Sequence, residues 1–237
     1  MTDTSASTRL QDHYDAMWDG AFPAVASGEV DCDTQLHAGS DRRRGLTLIA
    51  RPGRALRARF DSLLDRLAIA EPEQYRYPAA DMHVTVLSLV TVTEDFGPQL
   101  RRLDDYRAAV VAALDGLEAF EVDFRGITMS RGAVLAQGIP RGPALETLRE
   151  RLRLQLGARG LDASLDQRYR LVTAHATLLR FVGPLRAPRR FAALLDSLRQ
   201  APLGCMQVND VELVTNDWYM SSGSVERVAV LPLVTPA

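Results

Sequence analysis

The sequence predicts an α+β fold in which two pseudo-symmetric lobes, each an antiparallel sheet with flanking helices, surround a central cleft. Segments with helical spacing of apolar residues alternate with β-branched, aliphatic segments that are typical of strands. A tetrad of one histidine, a small apolar residue, a threonine and a larger apolar residue occurs twice, at 83–86 and 175–178. In each half a helix precedes the tetrad segment, and a helix and a pair of strands follow it. This shared order predicts an approximate architectural repeat.

The N-terminal part of the chain differs in composition from the rest. Residues 1–43 are predicted to be an extension, because most of this stretch is polar and acidic. It has only a weak helical pattern around 9–18, and it either packs on the body or is partly loose. The two-lobed domain is predicted over 44–237.

The first half of the two-lobed domain begins with "GLTLIARP", a strand that Pro52-Gly53 stops. A helix follows, because its apolar residues recur at helical spacing. The predicted order is a strand, a helix, a loop, the first tetrad strand and a second helix: 45–52, 54–69, 71–81, 81–90 and 98–118.

The strand pair that follows the first tetrad and its helix is joined through Arg131-Gly132, which predicts a hairpin. The next helix has Pro143 at its start and Gly157 at its end, the favoured asymmetry of helix termini. The predicted order is a strand pair, a helix, the second tetrad strand, a helix and two final strands: 120–130, 133–140, 143–157, 172–181, 188–200, 206–217 and 224–233.

Composition excludes several classes of protein. Apolar residues make up 46% of the 237, enough for a core, but no apolar run approaches the ~20 residues of a membrane span. The N-terminus lacks the basic start and apolar stretch of a signal peptide, so we expect a cytoplasmic protein with no membrane partner. Cys32 and Cys205 stand outside any paired motif, which argues against a disulfide framework or a thiolate metal site.

The charge pattern limits the nucleic-acid partners. The net charge is −2, with both signs spread along the chain, whereas a protein that coats long nucleic acid needs a basic face. A nucleotide or an RNA end remains possible. All 28 basic residues are arginine. Any cationic contact to a phosphate must therefore come from arginine, whose planar fork suits phosphate oxygens.

The two tetrads carry the candidate chemistry. On a strand, residues i and i+2 point to the same face, so each tetrad presents an imidazole beside a hydroxyl. Two such strands facing each other would place His83, Thr85, His175 and Thr177 around one small space. Two imidazoles can divide the base and acid roles of phosphodiester hydrolysis, and two hydroxyls can bind phosphoryl oxygens.

Two other interpretations of the histidines are open. Either imidazole could be a structural residue with satisfied hydrogen bonds. A zinc site is disfavoured, because threonine is a poor ligand and no acidic residue stands at ligand spacing beside either histidine. The other two histidines, His13 and His37, lie in the extension and are expected at the surface.

At these tetrads the chain resembles the 2H phosphoesterase superfamily, which is defined by two His-x-Thr/Ser-x motifs on strands of two pseudo-symmetric lobes. The match covers roughly 45–235. Within the superfamily the chain is most similar to the bacterial 2′-5′ RNA ligase / 2′,3′-cyclic phosphodiesterase group, where the second motif commonly continues as His-x-Thr-Leu-x-Arg, as 175–180 does here. The chain departs from the group in its N-terminal extension and in Leu87-Ser88-Leu89-Val90, where many relatives have an aromatic residue and a glycine.

The resemblance implies an enzyme, with the two histidines as general acid and base. No metal or other cofactor is expected, because proton transfers and hydrogen bonds supply what a metal would otherwise provide. The resemblance also implies that Arg180 assists phosphate binding. Strict strand alternation instead places Arg180 on the face opposite His175, and this side chain reaches the cleft only if the strand bends or bulges.

Aromatic side chains near the motifs are candidates for substrate binding. Tyr75 and Tyr77 precede the first tetrad and could stack on a base or pack in the core. Trp218 and Tyr219, between the last two strands, could line the mouth of the cleft. The run 42–44 of three arginines is expected to be solvated, with phosphate binding as the alternative.

These observations favour a metal-independent phosphodiesterase, a monomer whose substrate is a nucleotide cyclic phosphate or an RNA end. Two alternatives are open. One is a binding protein that holds a phosphorylated nucleotide or RNA end in the same cleft without turnover. The other is a 2H enzyme acting on another cyclic phosphate or on a 2′-5′ linked oligonucleotide.

Overall fold

Helices and strands alternate along the chain in the order that the sequence predicts. The computed structural model describes residues 3–36, 41–167 and 170–235. In these residues the helices are α1 Asp3–Ser27, α2 Arg54–Ala70, α3 Gly97–Leu100, α4 Leu103–Leu114, α5 Ala144–Gly157 and α6 Pro188–Leu198. The strands are β1 Arg44–Ala50, β2 Tyr75–Arg76, β3 Val84–Thr93, β4 Phe120–Ser130, β5 Ala133–Pro140, β6 Ala176–Arg180, β7 Pro202–Val208, β8 Asp210–Asn216 and β9 Glu226–Pro232.

The strands form one antiparallel sheet in the order β7-β4-β5-β6-β3-β1-β8-β9, and the short β2 pairs with β6 beside this path. The two tetrad strands, β3 and β6, are neighbours at its centre. They pair through Val84 and Ala176, the second residue of each tetrad. The sheet therefore divides into two four-stranded lobes that meet at the motifs, and the predicted α+β fold with two lobes is confirmed.

Each lobe takes strands from both halves of the chain. The strand pair β4–β5 follows the first tetrad but lies in the same lobe as the second tetrad strand, β6. In the same way β8 and β9, which follow the second tetrad, pair beside β1 and β3. Helices α1, α2 and α6 pack on the β4–β7 lobe, and α5 packs on β3 with α4 against it. Because each half of the chain supplies strands to both lobes, the two lobes form one unit.

Three predicted segments contain a different set of elements in the structure. The helix predicted over 98–118 is two helices, α3 and α4, because Arg102 leaves helical geometry and its guanidinium binds the carbonyl oxygens of Arg159 and Gly160. The strand predicted over 206–217 is divided between β7 and β8 at Asn209, because β7 pairs with β4 and β8 with β1, in different lobes. The loop predicted over 71–81 contains the two-residue strand β2.

The apolar residues that predicted α2 form its buried face: Leu56, Phe60, Leu63, Leu64 and Leu67. Phe60 packs edge-on against Phe124 of β4, with ring centroids 5.3 Å apart. This contact attaches α2 to the β4–β7 lobe, so the helical spacing in the sequence is explained by burial on the sheet.

Helix α1 is longer than the weak pattern at 9–18 indicates, and it packs on β4, β5 and α6. Its Tyr14 side chain is fully buried. The Tyr14 hydroxyl donates to the Gly138 carbonyl oxygen at 3.0 Å and accepts from the Ala174 N–H at 3.1 Å. Helix α1 therefore contacts the residue next to His175. The domain boundary at residue 43 stays a prediction.

No helix among residues 3–36, 41–167 and 170–235 has both the length and the apolarity needed to cross a membrane.

Replacing Tyr14 with phenylalanine should lower the free energy of unfolding by about 1–3 kcal/mol, because two buried hydrogen bonds are lost without a change in shape. Urea unfolding measures this difference. Tyr106→Phe is a matched control, since the Tyr106 hydroxyl makes a single hydrogen bond of 3.5 Å to the Leu161 carbonyl oxygen. Equal losses in the two variants would contradict the bridging role of Tyr14.

Candidate active site

A cavity of about 480 Å³ lies where the two lobes meet. His83, Thr85, His175 and Thr177 all line it. The three further residues predicted to bind substrate, Arg180, Tyr77 and Tyr219, line it as well. The structure thus brings these seven predicted residues together at one cavity.

The strand register explains why both motifs face one space. Val84 and Ala176 pair directly and are buried, so the residues on either side of them point to the opposite face of the sheet. The strands are antiparallel. His83 therefore lies towards Thr177, and His175 lies towards Thr85. Each imidazole has a hydroxyl from its own motif and another from the partner strand close by.

A β-bulge brings Arg180 into the cavity. In the pairing of β5 with β6, Leu135 opposes Thr177 and Val134 opposes Leu179, which leaves Leu178 as an extra residue. An extra residue reverses the alternation of side chains beyond it. Arg180 therefore faces the same side as Thr177, although strict alternation predicts the other side.

The Arg180 guanidinium is held by hydrogen bonds and a carboxylate. Its Nε and Nη2 donate to the Tyr77 hydroxyl at 3.4 and 3.3 Å, and Nη1 lies 3.5 Å from the Asp33 carboxylate. Asp33 also accepts a 2.9 Å hydrogen bond from the Tyr219 hydroxyl, and Arg180 lies over the Tyr219 ring. Burial raises the pKa of Tyr77, which keeps this hydroxyl protonated. The N-terminal segment therefore contributes to the order of the candidate site, which the sequence did not indicate.

Arg149 of α5 also belongs to the site, although it is not among the residues predicted from the sequence. Its side chain is 4% exposed and donates to four carbonyl oxygens. Two lie in the first motif, Thr85 at 3.1 Å and Val86 at 2.8 Å, and two precede the second, Val172 at 3.2 Å and Thr173 at 2.6 Å. The guanidinium therefore ties the two motifs together. The sequence does contain an indication of this role, because Arg149 stands at helical spacing among the leucines that form the buried face of α5.

The segment just before His175 makes no regular strand, although the sequence predicts one from residue 172. It is held instead by Arg149, by Tyr14 and by close contact with β5. A Cβ atom on Gly138 would lie 2.0 Å from the Ala174 carbonyl oxygen, so only glycine permits this approach. Contacts from α1, α5 and β5 thus position His175.

His83 is oriented by the loop that precedes it. The Asp81 carbonyl oxygen lies 2.7 Å from His83 Nδ1 and can only accept, so Nδ1 carries a proton and Nε2 is the unprotonated nitrogen of the neutral ring. The Asp81 carboxylate accepts from the Ser222 N–H at 3.0 Å, which anchors this loop. Burial lowers the pKa of His83, while the hydrogen bond to Asp81 acts in the opposite direction.

His175 has a different partner. Its Nδ1 lies 2.7 Å from the Thr173 hydroxyl, which can donate or accept. Burial, the neighbouring His83 and the positive charge of Arg149 lower the pKa of His175 to about 4. The imidazole is therefore neutral near pH 7. Its Nδ1 contacts a hydroxyl, whereas Nδ1 of His83 contacts a backbone carbonyl oxygen that favours the protonated form.

The remaining candidates are distributed around the site. Trp218 lines the cavity, and the guanidinium of Arg43 lies 5.1 Å from the centroid of its ring. Arg42 is exposed. Tyr75 packs edge-on against Tyr77. His13 is exposed, and His37 lies outside the described residues.

A second cavity, of about 490 Å³, lies between α1 and α5. It has no histidine–threonine pair among its lining residues, and Arg153 and Arg170 there form ion pairs with Glu150. We therefore assign the candidate chemistry to the cavity at the lobe junction. Within the described part of the chain, no three histidine, cysteine or acidic residues are grouped to hold a metal ion.

The fold and the paired motifs define a two-lobed protein of phosphoesterase type. The family model of the 2′-5′ RNA ligase superfamily matches residues 50–218, and the chain belongs to this family. The predicted membership of the 2H phosphoesterases is thereby confirmed. No curated protein sequence matches the chain.

Solved structures share the fold at low sequence identity. TT0787 of Thermus thermophilus is 16% identical, with a TM-score of 0.60 over 82% of this chain and 100% of its own. ATU0111 from Agrobacterium tumefaciens is 17% identical, with a TM-score of 0.56 over 90% of this chain and 97% of its own. E. coli LigT complexed with 3′-AMP is 15% identical, with a TM-score of 0.53 over 81% of this chain and 99% of its own. At these identities the likeness shows the fold.

Replacing Arg149 with methionine should lower the free energy of unfolding by about 2–4 kcal/mol, because buried carbonyl oxygens lose their donor. The pKa of His175, followed by NMR, should rise in the same variant, since a nearby positive charge is removed. Arg151→Met is the matched control, because Arg151 makes one exposed hydrogen bond, to the Asp115 carbonyl oxygen. An unchanged His175 titration would argue against coupling between Arg149 and the motif.

The stability of the protein should depend on pH through His175. Its pKa is below the unfolded value of about 6.5, so the unfolded chain takes up a proton that the folded protein excludes. This contribution is complete above about pH 6.5 and is lost as the pH falls towards about 4. Between pH 7 and 4.5 the free energy of unfolding should fall by on the order of 2 kcal/mol more in the wild type than in His175→Gln. Urea unfolding at several pH values in this range measures both free energies. The same dependence on pH in the two proteins would contradict the lowered pKa of His175.

Proposed function

We propose that the protein is a metal-independent phosphodiesterase that acts on 2′,3′-cyclic nucleotides or RNA ends. The observation that carries this proposal is the direct pairing of the two motif strands, which places both imidazoles and both threonine hydroxyls at one cavity. This arrangement offers a base on one side of a phosphorus atom and an acid on the other, with hydroxyl donors between them.

The environments of the histidines favour His175 as the base and His83 as the acid. A base must be neutral before it acts, and burial together with His83, Arg149 and His13 lowers the pKa of His175 and keeps it neutral. An acid must carry a proton. Burial lowers the pKa of His83 as well, but the hydrogen bond from Nδ1 to the Asp81 carbonyl oxygen opposes this and favours the protonated form. A bound phosphate would raise the proton affinity of both imidazoles further, because it is an anion.

Hydrolysis would then proceed with balanced proton transfers. His175 takes a proton from water as the water oxygen bonds to phosphorus. The bond from phosphorus to a ribose oxygen breaks, and protonated His83 gives its proton to that oxygen. The two histidines exchange their protonation states in each turnover, and proton exchange with solvent restores them.

The remaining site residues would bind the phosphate and the nucleoside. The hydroxyls of Thr85 and Thr177 donate to non-bridging phosphoryl oxygens, each worth roughly 1.5–3 kcal/mol. Arg180 supplies positive charge, and Tyr77 and Tyr219 orient it and line the wall of the cavity. The LigT structure complexed with 3′-AMP supports a nucleotide as the ligand class. We further propose a monomer, because one chain supplies both motifs, and a cytoplasmic location as a separate expectation.

His83→Ala and His175→Ala should each reduce turnover of 2′,3′-cyclic AMP by about 10²–10⁴-fold, the usual effect of losing one acid–base group. Wild-type activity should be bell-shaped in pH and should persist in EDTA. His37→Ala is the matched control and should retain activity, because His37 belongs to neither motif.

Three outcomes would overturn parts of this proposal. Near-normal activity of either alanine variant would remove that histidine from the mechanism. Activity that vanishes in EDTA and returns with magnesium or manganese would refute a metal-independent reaction. Tight binding of the nucleotide with no turnover of any cyclic phosphate or 2′-5′ linked dinucleotide would favour the alternative of a binding protein.

A further inference from the structure

A carboxylate from the N-terminal segment lies against the arginine of the candidate site. Asp33 is in the stretch that joins α1 to β1, and its backbone N–H donates to the Phe181 carbonyl oxygen at 2.7 Å, directly after β6. Its Oδ2 lies 3.5 Å from Arg180 Nη1. The family model matches the chain from residue 50 onwards, so Asp33 is a feature that the family match does not account for.

The two carboxylate oxygens of Asp33 have different neighbours. Oδ1 accepts from the Tyr219 hydroxyl at 2.9 Å and from the backbone N–H groups of Gln35 at 3.0 Å and Leu36 at 3.2 Å. Oδ2 faces Arg180. Because an amide oxygen could accept the same hydrogen bonds as Oδ1, the local structure of this segment does not require the negative charge. That charge is directed at Arg180.

The charge of Arg180 determines how strongly the cavity attracts an anion. Arg180 is the one arginine among the described residues that line the cavity, and the chain has no lysine. Besides the histidines, the other charged lining residue is Asp166, which is paired with Arg153. The side chains of Arg180 and Asp33 are 20% and 16% exposed, so solvent screens this pair less than it screens surface charges. Asp33 therefore lowers the positive potential that a ligand in the cavity meets.

The charge of a phosphate group depends on how many ester bonds it makes. A phosphodiester, cyclic or linear, carries one negative charge, whereas a phosphomonoester has a second pKa of about 6 and is a dianion at pH 8. Coulomb energy is proportional to the charge of the ligand, so a nearby carboxylate opposes a dianion about twice as strongly as a monoanion. A carboxylate that shares the arginine with the phosphate thus distinguishes the two classes of ligand.

We propose that Asp33 is a positioning residue that acts through Arg180 and determines the charge selectivity of the site. It makes the cavity favour a singly charged phosphodiester over a doubly charged phosphomonoester of the same nucleoside. The inference rests on the proposed function for the position of the phosphate, beside Arg180. It goes beyond that function, because hydrolysis of a cyclic phosphodiester yields a phosphomonoester, and this selectivity favours release of the product.

Two nucleotides that differ by one methyl group and one charge test this inference. 2′-Deoxyadenosine 3′-monophosphate is a dianion at pH 8, and its methyl ester is a monoanion. Neither has the 2′-hydroxyl that is needed to form a cyclic phosphate. In calorimetric titration at pH 8, the wild type should bind the monoester no more tightly than the methyl ester. In Asp33→Asn the monoester should gain about tenfold relative to the methyl ester, because a neighbouring negative charge has been removed.

The variants separate the charge of Asp33 from its structural contacts. Asp33→Asn keeps an oxygen for the hydrogen bonds of Oδ1, and in Asp33→Ser, a second variant without the charge, the hydroxyl can accept from the same backbone N–H groups. Asp31→Asn is the matched control, because it makes the same change in net charge at an exposed carboxylate paired with Arg131. The control should keep the wild-type ratio. A merely structural role of Asp33 would weaken both nucleotides alike and leave the ratio unchanged.

The inference and the proposed function fail in different ways. A tenfold preference of the wild type for the dianion, the same ratio in the wild type and the Asp33 variants, or no binding of either nucleotide to any of them would overturn the charge selectivity. The wild-type measurement stands even if the variants do not fold. Turnover of 2′,3′-cyclic AMP by the wild type is measured in parallel. Absent turnover with a ratio that changes in Asp33→Asn would overturn the enzyme and retain the selectivity.

Discussion

The structure of the candidate site depends on one buried guanidinium. Arg149 donates to carbonyl oxygens on both sides of the lobe junction, in the first motif and just before the second. These motif strands share a single residue pair, Val84 with Ala176, so the sheet alone does little to set their separation. Five N–H donors in a rigid plane can bind several carbonyl oxygens at once, which a lysine could not do. Burial lowers the pKa of Arg149 to about 10, and the group therefore stays charged at neutral pH.

That charge has a consequence for the chemistry. A permanent cation close to His175 disfavours a second positive charge, and burial acts in the same direction. The residue that orders the motifs thus also helps to keep one imidazole neutral. Burial also lowers the pKa of His83, but there the hydrogen bond to the Asp81 carbonyl oxygen opposes the shift. The two histidines belong to nearly identical tetrads, yet their hydrogen-bond partners and nearby charges differ.

The N-terminal segment is joined to the same site from two directions. Tyr14 of α1 bridges β5 to the residue before His175, and Asp33 holds Arg180 and Tyr219. Arg180 in turn reaches the cavity because of the extra residue in β6. Strand geometry, a bulge and a segment distant in sequence therefore combine to place one cation in the cavity at the lobe junction. Without the bulge, the same arginine would lie on the other face of the sheet.

The sequence by itself determined the local elements and the identity of the motif residues. The helical spacing of α2, the hairpin at Arg131-Gly132 and the i, i+2 relation within each tetrad are properties of neighbouring residues, and short-range patterns record them. The tertiary structure decided the contacts between distant residues. It divided 206–217 between two lobes, turned Arg180 inwards, and brought Tyr14 and Asp33 to the site. Such features depend on which strands pair and which groups meet in space, and the periodicity of a single segment carries no information about either.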